Sequence, residues 1–460
     1  MDLKKLSKSE LVSIIKKIQE HGTLPDFFYS PSLLNNNCAS IPSEDRCPAL
    51  MENIDREIKQ DSPDPENWLI EGDNMHALMA LRKSHREKVD TIFIDPPYNS
   101  GNRDYRYQDN FTLKKDKIPH GNWLSFIHPR LVLARELLKD SGVIFICIDD
   151  REMAPLKLLC DSIFNPRNFL GPFIWLNRTT PNDAKNNFAV DHEYILVYTK
   201  ERKKFRFRGT IKDLSRYKNS DSDPNGPWMR DNPSAASGSE KDRFPIENPF
   251  TAQVYYPPKG RFWAFSRRRV DEWYKSGKLV FPEENNKNFL LKKYLNELRS
   301  NRKPLSSIIT GILTMHGTRE MKEIFAGENP FKYPKPSILI EYILDKMSGE
   351  NAVVLDFFAG SGSTGHAVLK LNKKDGGKRR FILCTNNEWL NTGAESEEGG
   401  ICEKVTYPRL KKVISGYKNA RGDLIEACPG KLKYFHTVFE EKPGTSGGDP
   451  EPENHKNSAN

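Results

Sequence analysis

Thr91-Ile92-Phe93-Ile94-Asp95-Pro96-Pro97-Tyr98 sets a short β-branched and aromatic run directly before an acid, two prolines and a tyrosine. Such a run reads as a buried strand. Each proline locks φ and removes a backbone donor, so neither the strand nor a helical turn continues through them. A rigid, extended loop must therefore leave the C-terminal end of this strand. Taken alone, the same pattern also describes a strand that stops in a structural Pro-rich turn.

The flanking sequence alternates strands with helices. Upstream, Trp68-Leu69-Ile70-Glu71 is a short strand that breaks at Gly72 and leads through Asp73 into a helix carrying Met75, Leu78, Met79 and Leu81. Downstream, Leu124, Ile127, Leu131, Ala134 and Leu138 mark one face of a helix from Trp123 to Lys139, with a bend expected at Pro129. Val143 to Ile148 is another buried strand, closed by Asp149-Asp150, and Tyr194 to Tyr198 a further one after His192-Glu193. Later come a helix after Lys335-Pro336, a strand from Ala352 to Phe357, a helix from Thr364 and a strand from Phe381 to Thr385. This alternation predicts a parallel α/β sheet.

A chain of 460 residues exceeds one compact core, so two or three domains are expected. A mean hydropathy of −0.68 describes a soluble protein with a large polar surface. No apolar run approaches membrane-spanning length, and Met1 to Lys5 lead into an amphipathic pattern in place of a signal core; neither a membrane role nor secretion is expected. The seven cysteines are scattered and never closely paired, which points to reduced thiols in the cytoplasm and against a zinc site. No catalytic metal is expected, and His192, without partner ligands, reads as a structural loop residue. The net charge of +9 suits a polyanionic partner. Basic and aromatic residues interleave at Arg202 to Arg208 and at Lys259 to Arg269, where phosphate pairing and base stacking both become possible.

Residues 1–66 read as a helix followed by an irregular linker. Ser7 and Glu10 form a capping box, and Leu11, Ile14, Ile15 and Ile18 share the face of a docking or dimerisation helix. Residues 201–325 change to an irregular or mixed composition and read as an inserted domain. Residues 426–460 read as a C-terminal extension with a disordered tail.

Val353-Val354-Leu355-Asp356-Phe357-Phe358-Ala359-Gly360-Ser361-Gly362-Ser363-Thr364-Gly365 is a strand, a turn and a helix start. Gly360, Gly362 and Gly365 satisfy the dinucleotide pattern G-x-G-x-x-G, while a Walker lysine is missing. Asp356 at the strand end would repel a pyrophosphate and attract an ammonium or sulfonium group. Glu388, after the next strand, is placed to hold ribose hydroxyls in either scheme.

Asp95-Pro96-Pro97-Tyr98 followed by Asp356-Phe357-Phe358-Ala359-Gly360-Ser361-Gly362 resembles the β-class amino-methyltransferases of DNA, whose catalytic motif precedes the S-adenosylmethionine motif. Asn99-Ser100-Gly101-Asn102, the Trp123 helix, Ile148-Asp149-Asp150, Asp191-His192-Glu193-Tyr194, Tyr255 to Arg261 and Asn386-Asn387-Glu388 look like the modification subunits of type III restriction systems. The chain is shorter than those subunits usually are, and Ser363 stands where threonine is common, which keeps the hydroxyl.

The resemblance implies a Rossmann-like S-adenosylmethionine-dependent methyltransferase fold, circularly permuted. Its catalytic half would be residues 67–200, its cofactor-binding half 326–425, and its target-recognition domain the insertion at 201–325. The implied activity is methylation of adenine N6 in double-stranded DNA within a restriction-modification system, with a homodimer and a restriction (helicase-nuclease) subunit as partners. Asp95, Pro96, Pro97 and Tyr98 would form the catalytic loop. The Asp95 carboxylate and the Pro96 carbonyl would accept the two amino hydrogens, and Tyr98 would stack on the extruded base. Asp73, Lys335, Pro336, Asp356, Phe358, Gly360, Gly362, Thr364 and Glu388 would form the S-adenosylmethionine pocket. Asp73 also reads as a helix cap and Lys335 as a solvated charge. Arg261, Arg267, Arg268 and Arg269 would bind DNA. Cytosine-N4 methylation uses the same geometry, although serine often replaces the first acid in that branch. Two different classes of function also fit parts of the pattern: a catalytically silent DNA-binding subunit and a nicotinamide dehydrogenase.

Overall fold

The computed structural model describes residues 46–60, 63–100, 120–179, 189–387 and 400–441. The expected helix over residues 7–20 lies outside them, as do Gly101, Asn102 and Glu388. The chain divides into a larger unit, from residues 1–208 and 306–460, and a smaller one, residues 209–305.

The larger unit is built on one ten-stranded sheet. Its strands are β1 (Arg46–Glu52), β2 (Glu66–Glu71), β3 (Val89–Ile94), β4 (Leu138–Ile148), β5 (Phe169–Leu176), β6 (His192–Thr199), β7 (Ile308–Ile309), β8 (Val353–Asp356), β9 (Arg380–Thr385) and β10 (Lys431–Glu441). Their order is β1-β10-β2-β9-β8-β3-β4-β6-β5-β7. From β10 to β4 all neighbours are parallel. The flanks are mixed, because β1 runs antiparallel to β10 and β6 runs antiparallel to both β4 and β5. Among the described residues seven α-helices accompany the sheet: α1 (Asn74–His85), α2 (Gly121–Leu137), α3 (Met153–Phe164), α4 (Thr314–Ile324), α5 (Ser337–Met347), α6 (Ser363–Asp375) and α7 (Tyr407–Ser415).

The central strands are nearly continuous apolar runs because both sheet faces are covered. Ile92, Phe93 and Ile94 of β3 and Val143 to Ile148 of β4 are all buried. On α2 the face carrying Trp123, Ile127, Leu131 and Ala134 is completely buried. Topology then sets the place of the site. From β3 the chain passes through α2 to β4 on one side; from β8 it passes through α6 to β9 on the other. The strand order therefore reverses between β3 and β8, and open α/β sheets bind ligands beyond the strand ends at such a point.

Three expectations need correction. The linker reading of residues 21–66 gives way at β1, which pairs with β10, a strand inside the C-terminal extension of 426–460 that sits between β1 and β2. In β10, Leu432 and Tyr434 are fully buried while lysines 431 and 433 alternate with them. Partners such as Arg46↔Glu441 and Glu66↔Lys431 lie almost a whole chain apart, so nothing local announces the pairing. The sheet is mixed where a parallel one was expected; β5, unassigned from sequence, is one of the flanking strands. Finally, the smaller unit closes at residue 305, so 306–325 leave the inserted domain: Ile308–Ile309 is an edge strand of the large sheet, and α4 packs against α7.

The smaller unit holds two- and three-stranded sheets and a helix over Arg267–Lys275. Its core is aromatic, with Phe244, Tyr255, Trp263, Phe265, Phe281 and Phe289 packed together. No helix among the described residues is long and apolar enough to cross a membrane.

Candidate active site

The loop leaving β3 is pinned from outside. Trp123 Nε1, on the buried face of α2, donates to the Pro97 carbonyl at 2.7 Å. Asn99 then takes a left-handed conformation (φ +54), one that asparagine tolerates better than most residues, and turns the chain after Tyr98. The Tyr98 hydroxyl donates to Asp95 Oδ1 at 2.8 Å and also lies 3.1 Å from Glu193 Oε2. Lys335 enters from the segment before α5. Its Nζ lies 2.9 Å from Asp95 Oδ1, 2.9 Å from the Tyr98 hydroxyl and 3.1 Å from Glu193 Oε2. Asn177 Nδ2 donates to the other Glu193 oxygen at 2.8 Å.

One ammonium thus stands between two carboxylates, with a phenol bridging the acids. Burial pushes the Asp95 carboxyl above its usual range, the Lys335 ammonium pulls it back, and the Glu193 charge pushes it up again. Burial, reinforced by Asp95 and Glu193, holds the Tyr98 hydroxyl well above the usual tyrosine range. For Lys335, burial favours the neutral amine, but Asp95 and Glu193 outweigh it and keep the group a cation.

The second loop follows β8. Asp356 accepts from Thr364 Oγ1 at 2.6 Å and from the Phe358 backbone N–H at 3.0 Å, so its carboxylate ties strand end, turn and helix start together. Burial lifts it to about 7, against the pull of those two donors. Gly362, at φ +79, caps α6 in a conformation that side chains disfavour. At Gly365 a Cβ would meet Leu410 Cδ2 at 2.8 Å, so glycine is what lets α6 approach α7. Beneath the turn lies Arg409, completely buried. It donates to Ser363 Oγ at 2.9 Å and Ser361 Oγ at 3.1 Å and pairs with Glu320 at 2.7 Å.

Both loops open on one cleft of about 1020 Å³, solvent-open space included. Asp73, Asp95, Lys335, Asp356, Phe358 and Gly360 all line it. Asp73 also accepts from the Met75 backbone N–H at 2.7 Å, so it caps α1 while lining the cavity. Arg130 braces this side, with Nε donating to Asn74 Oδ1 at 2.6 Å while Asn74 Nδ2 reaches the Phe357 carbonyl at 2.8 Å.

Among the expected cofactor residues, Thr364 lines the cavity as well, and Gly362 lies in its turn. Lys335 is no solvated charge: its side chain is only 11% exposed. Its carbonyl accepts from Ser363 Oγ at 2.6 Å, and Pro336 caps α5. Pro96 is buried in the β3 loop; Pro97 lines the cavity, but its carbonyl is taken by Trp123. In the smaller unit Arg267, Arg268 and Arg269 are exposed on the first turn of their helix. Arg261 is instead tied to Ser234, donating to its Oγ and its carbonyl at 2.8 Å each. Glu193, Asn177, Arg130 and Arg409 were not among the residues expected from sequence. The signal that could have found two of them is an ionic residue on an otherwise apolar face, as with Arg130 between Ile127 and Leu131, or Arg409 beside Leu410 and Val413. Among the described residues no cluster of His, Cys, Asp and Glu could hold a metal ion.

A family model described as DNA methylase matches residues 89–395, which include both loops. The chain belongs to this DNA methylase family. Within it, the chain is 29% identical to the Mod subunit of the type III restriction-modification enzyme StyLTI of Salmonella typhimurium, over 80% of this chain and 60% of that one. It is 31% identical to the type II methyltransferase M.KpnI of Klebsiella pneumoniae, over 85% of this chain and 100% of that one. It is 27% identical to the DNA adenine methyltransferase YhdJ of Escherichia coli, over 78% of this chain and 93% of that one. The chain thus spans about 60% of the length of the type III subunit it matches.

Proposed function

We propose that the chain transfers the methyl group of S-adenosylmethionine to the N6 amino group of an adenine rotated out of double-stranded DNA, as the modification component of a restriction-modification system. The observation that carries this reading is that Asp95 and the glycine loop open on one cavity at the point where the strand order reverses.

The lining suits that cofactor. Asp73 and Asp356 supply carboxyl groups, Phe126, Phe331 and Phe358 supply apolar faces, and Lys335, the only cation in the described lining, is already paired. A pyrophosphate would find no free cation in that lining, whereas a sulfonium is favoured beside carboxylates. Bound in this cavity, S-adenosylmethionine supplies an electrophilic methyl group on a positively charged sulfur. Asp73, Asp356, Phe358, Gly360, Gly362, Thr364, Pro336 and Glu388 are its proposed pocket. On the substrate side, Asp95 holds a hydrogen of the adenine amino group and so directs the nitrogen lone pair, which is otherwise delocalised into the ring. Orientation of two bound reactants supplies most of the rate. Asp95 then takes the proton that the methylated nitrogen releases. Tyr98 walls the base pocket, where stacking on the base offsets part of the few kcal/mol that unpairing costs. Adenine is favoured over cytosine by the acid that opens the Asp95 loop, and YhdJ, similar over most of its length, is named an adenine methyltransferase.

Double-stranded DNA, a second copy of the chain and a restriction subunit are the proposed partners. The order of the motifs, with Asp95 before Asp356, is read as a circular permutation. Incubation with labelled S-adenosylmethionine and mixed-sequence DNA, followed by nucleoside analysis, tests the activity. Label in N6-methyladenine is expected; label in N4-methylcytosine alone, or none in DNA, refutes the reading.

Arg267, Arg268 and Arg269 are the proposed phosphate contacts of the smaller unit. Replacing all three by alanine is expected to lower the slope of log affinity against log salt by up to about 3, each lost contact removing about 0.9. Fluorescence anisotropy on a DNA duplex measures it, and an unchanged slope removes these residues from the interface.

A further inference from the structure

Resting on the proposed methyl transfer, we propose that Lys335 and Glu193 are positioning residues of the transfer step: Lys335 acts on the Asp95 carboxylate, and Glu193 acts through Lys335 and Tyr98. The ammonium of Lys335 sits within the group around Asp95, at 2.9 Å to Asp95, 2.9 Å to Tyr98 and 3.1 Å to Glu193. Its backbone carbonyl meanwhile holds Ser363 in the glycine turn. One residue therefore ties the cofactor loop to the catalytic acid.

The arrangement solves a charge problem. Asp95 Oδ1 and Glu193 Oε2 share the Tyr98 hydroxyl, and two carboxylates this close cannot both stay ionised without a cation between them. A protonated Asp95 would lose acceptor capacity where an amino hydrogen must be held. Lys335 supplies the cation. Glu193, steadied by Asn177, shares the ammonium, so that Lys335 is held between both acids and does not pair with Asp95 alone. Tyr98 gains as well, because a hydroxyl held between two acids fixes its ring against the Asp95 loop. The other ionisable groups facing this cluster are Cys147 on β4, Asp356 at the end of β8, and Asp149, which feels Glu193. Burial keeps Cys147 a neutral thiol, so it contributes no competing charge.

Two variants of the full chain separate this role from cofactor binding. Glu193→Gln keeps shape and removes a charge that repels Asp95; Lys335→Met removes the charge that stabilises it. With cofactor saturating, single-turnover transfer to DNA is expected to fall about 10²-fold in each, within the range for groups that assist proton handling. The acid limb of the rate should move in opposite directions, upward in pH for Lys335→Met and downward for Glu193→Gln, because Lys335 lowers and Glu193 raises the Asp95 proton affinity. S-adenosylmethionine affinity, measured by calorimetry, should change little and also reports that the variants are folded. Lys335→Arg should recover part of the rate. Limbs that stay in place or move together, or a loss confined to cofactor affinity, overturn the proposal. If the unaltered chain transfers no methyl group, the proposed function fails and the proposal falls with it; an active parent with variants that behave otherwise sinks the proposal alone.

Discussion

Asp95→Ala is expected to reduce single-turnover methyl transfer by about 10²–10⁴-fold, the range for removal of a positioned acid-base group, while S-adenosylmethionine affinity holds within about threefold. The separation follows from the geometry. Asp95 directly follows β3 and meets the Tyr98 hydroxyl and the Lys335 ammonium, whereas the described residues of the proposed cofactor pocket belong to the turn after β8, to α6 and to the caps of α1 and α5. Removing the carboxylate leaves that turn intact, because it is braced by Asp356, Thr364 and Arg409. What is lost is the acceptor for the amino hydrogen and the partner that holds Tyr98. Rapid-quench transfer of labelled methyl to DNA, with calorimetry for the cofactor, gives both numbers. An active Asp95→Ala protein would remove the β3 loop from the chemistry, and a variant that no longer binds cofactor would place Asp95 in the cofactor site.

Arg409→Leu is expected to destabilise the larger unit by about 3–5 kcal/mol, the usual effect of breaking a buried ion pair from one side. Arg409 has no exposed surface, and Glu320 retains only 16% of its side-chain exposure. With the guanidinium gone, Glu320 remains buried with Ser337 and His366, and Ser361 and Ser363 lose the donor that fixes them beneath the glycine turn. Cofactor affinity should therefore fall together with stability, which distinguishes this variant from Asp95→Ala. A pH signature accompanies it. Burial raises the Glu320 carboxyl, but the surrounding His366, Arg409, Ser337 and Lys370 outweigh burial and leave it lowered from 4.5 to about 2. Its folded value lies below its unfolded one, so its contribution is complete above about pH 4.5 and is lost as pH falls toward 2. Denaturant unfolding across that window should show the loss in the parent and a smaller one in Glu320→Gln. Equal slopes in both proteins would show that the pair contributes nothing.

The parts of the site that could be read from sequence are those whose signals are short. Asp95-Pro96-Pro97-Tyr98 announces a stopped strand through proline sterics alone, and Asp356 to Gly365 announces strand, turn and helix through three glycines at fixed offsets. What escaped depends on distant partners: Glu193 as a site residue, and the pairing of Lys335, expected in the cofactor pocket, with Asp95. Glu193 follows Tyr98 by 95 positions and Lys335 by 237, yet the three meet within hydrogen-bonding distance. Burial makes each of them costly alone and tolerable together, and that balance exists only once β3, β6 and the start of α5 converge. β10 shows the same principle in the fold. Its alternation of Lys431, Leu432, Lys433 and Tyr434 is a weak strand signal, overshadowed by the polar residues that follow, and it becomes decisive only when β1 and β2 are present on either side.

By itself, then, the sequence determined where the two loops leave their strands and the alternation of strands with helices, because proline and glycine backbone limits and apolar periodicity act over a few residues. Only the tertiary structure decided which acid Lys335 serves, that Arg409 underpins the glycine turn, that the chain between residues 306 and 325 belongs with the sheet, and that strands from opposite ends of the chain close its edge. Those choices depend on pairing buried charges and backbone groups across long sequence separations, where the stabilising partner is set by the packed whole rather than by its neighbours in the chain.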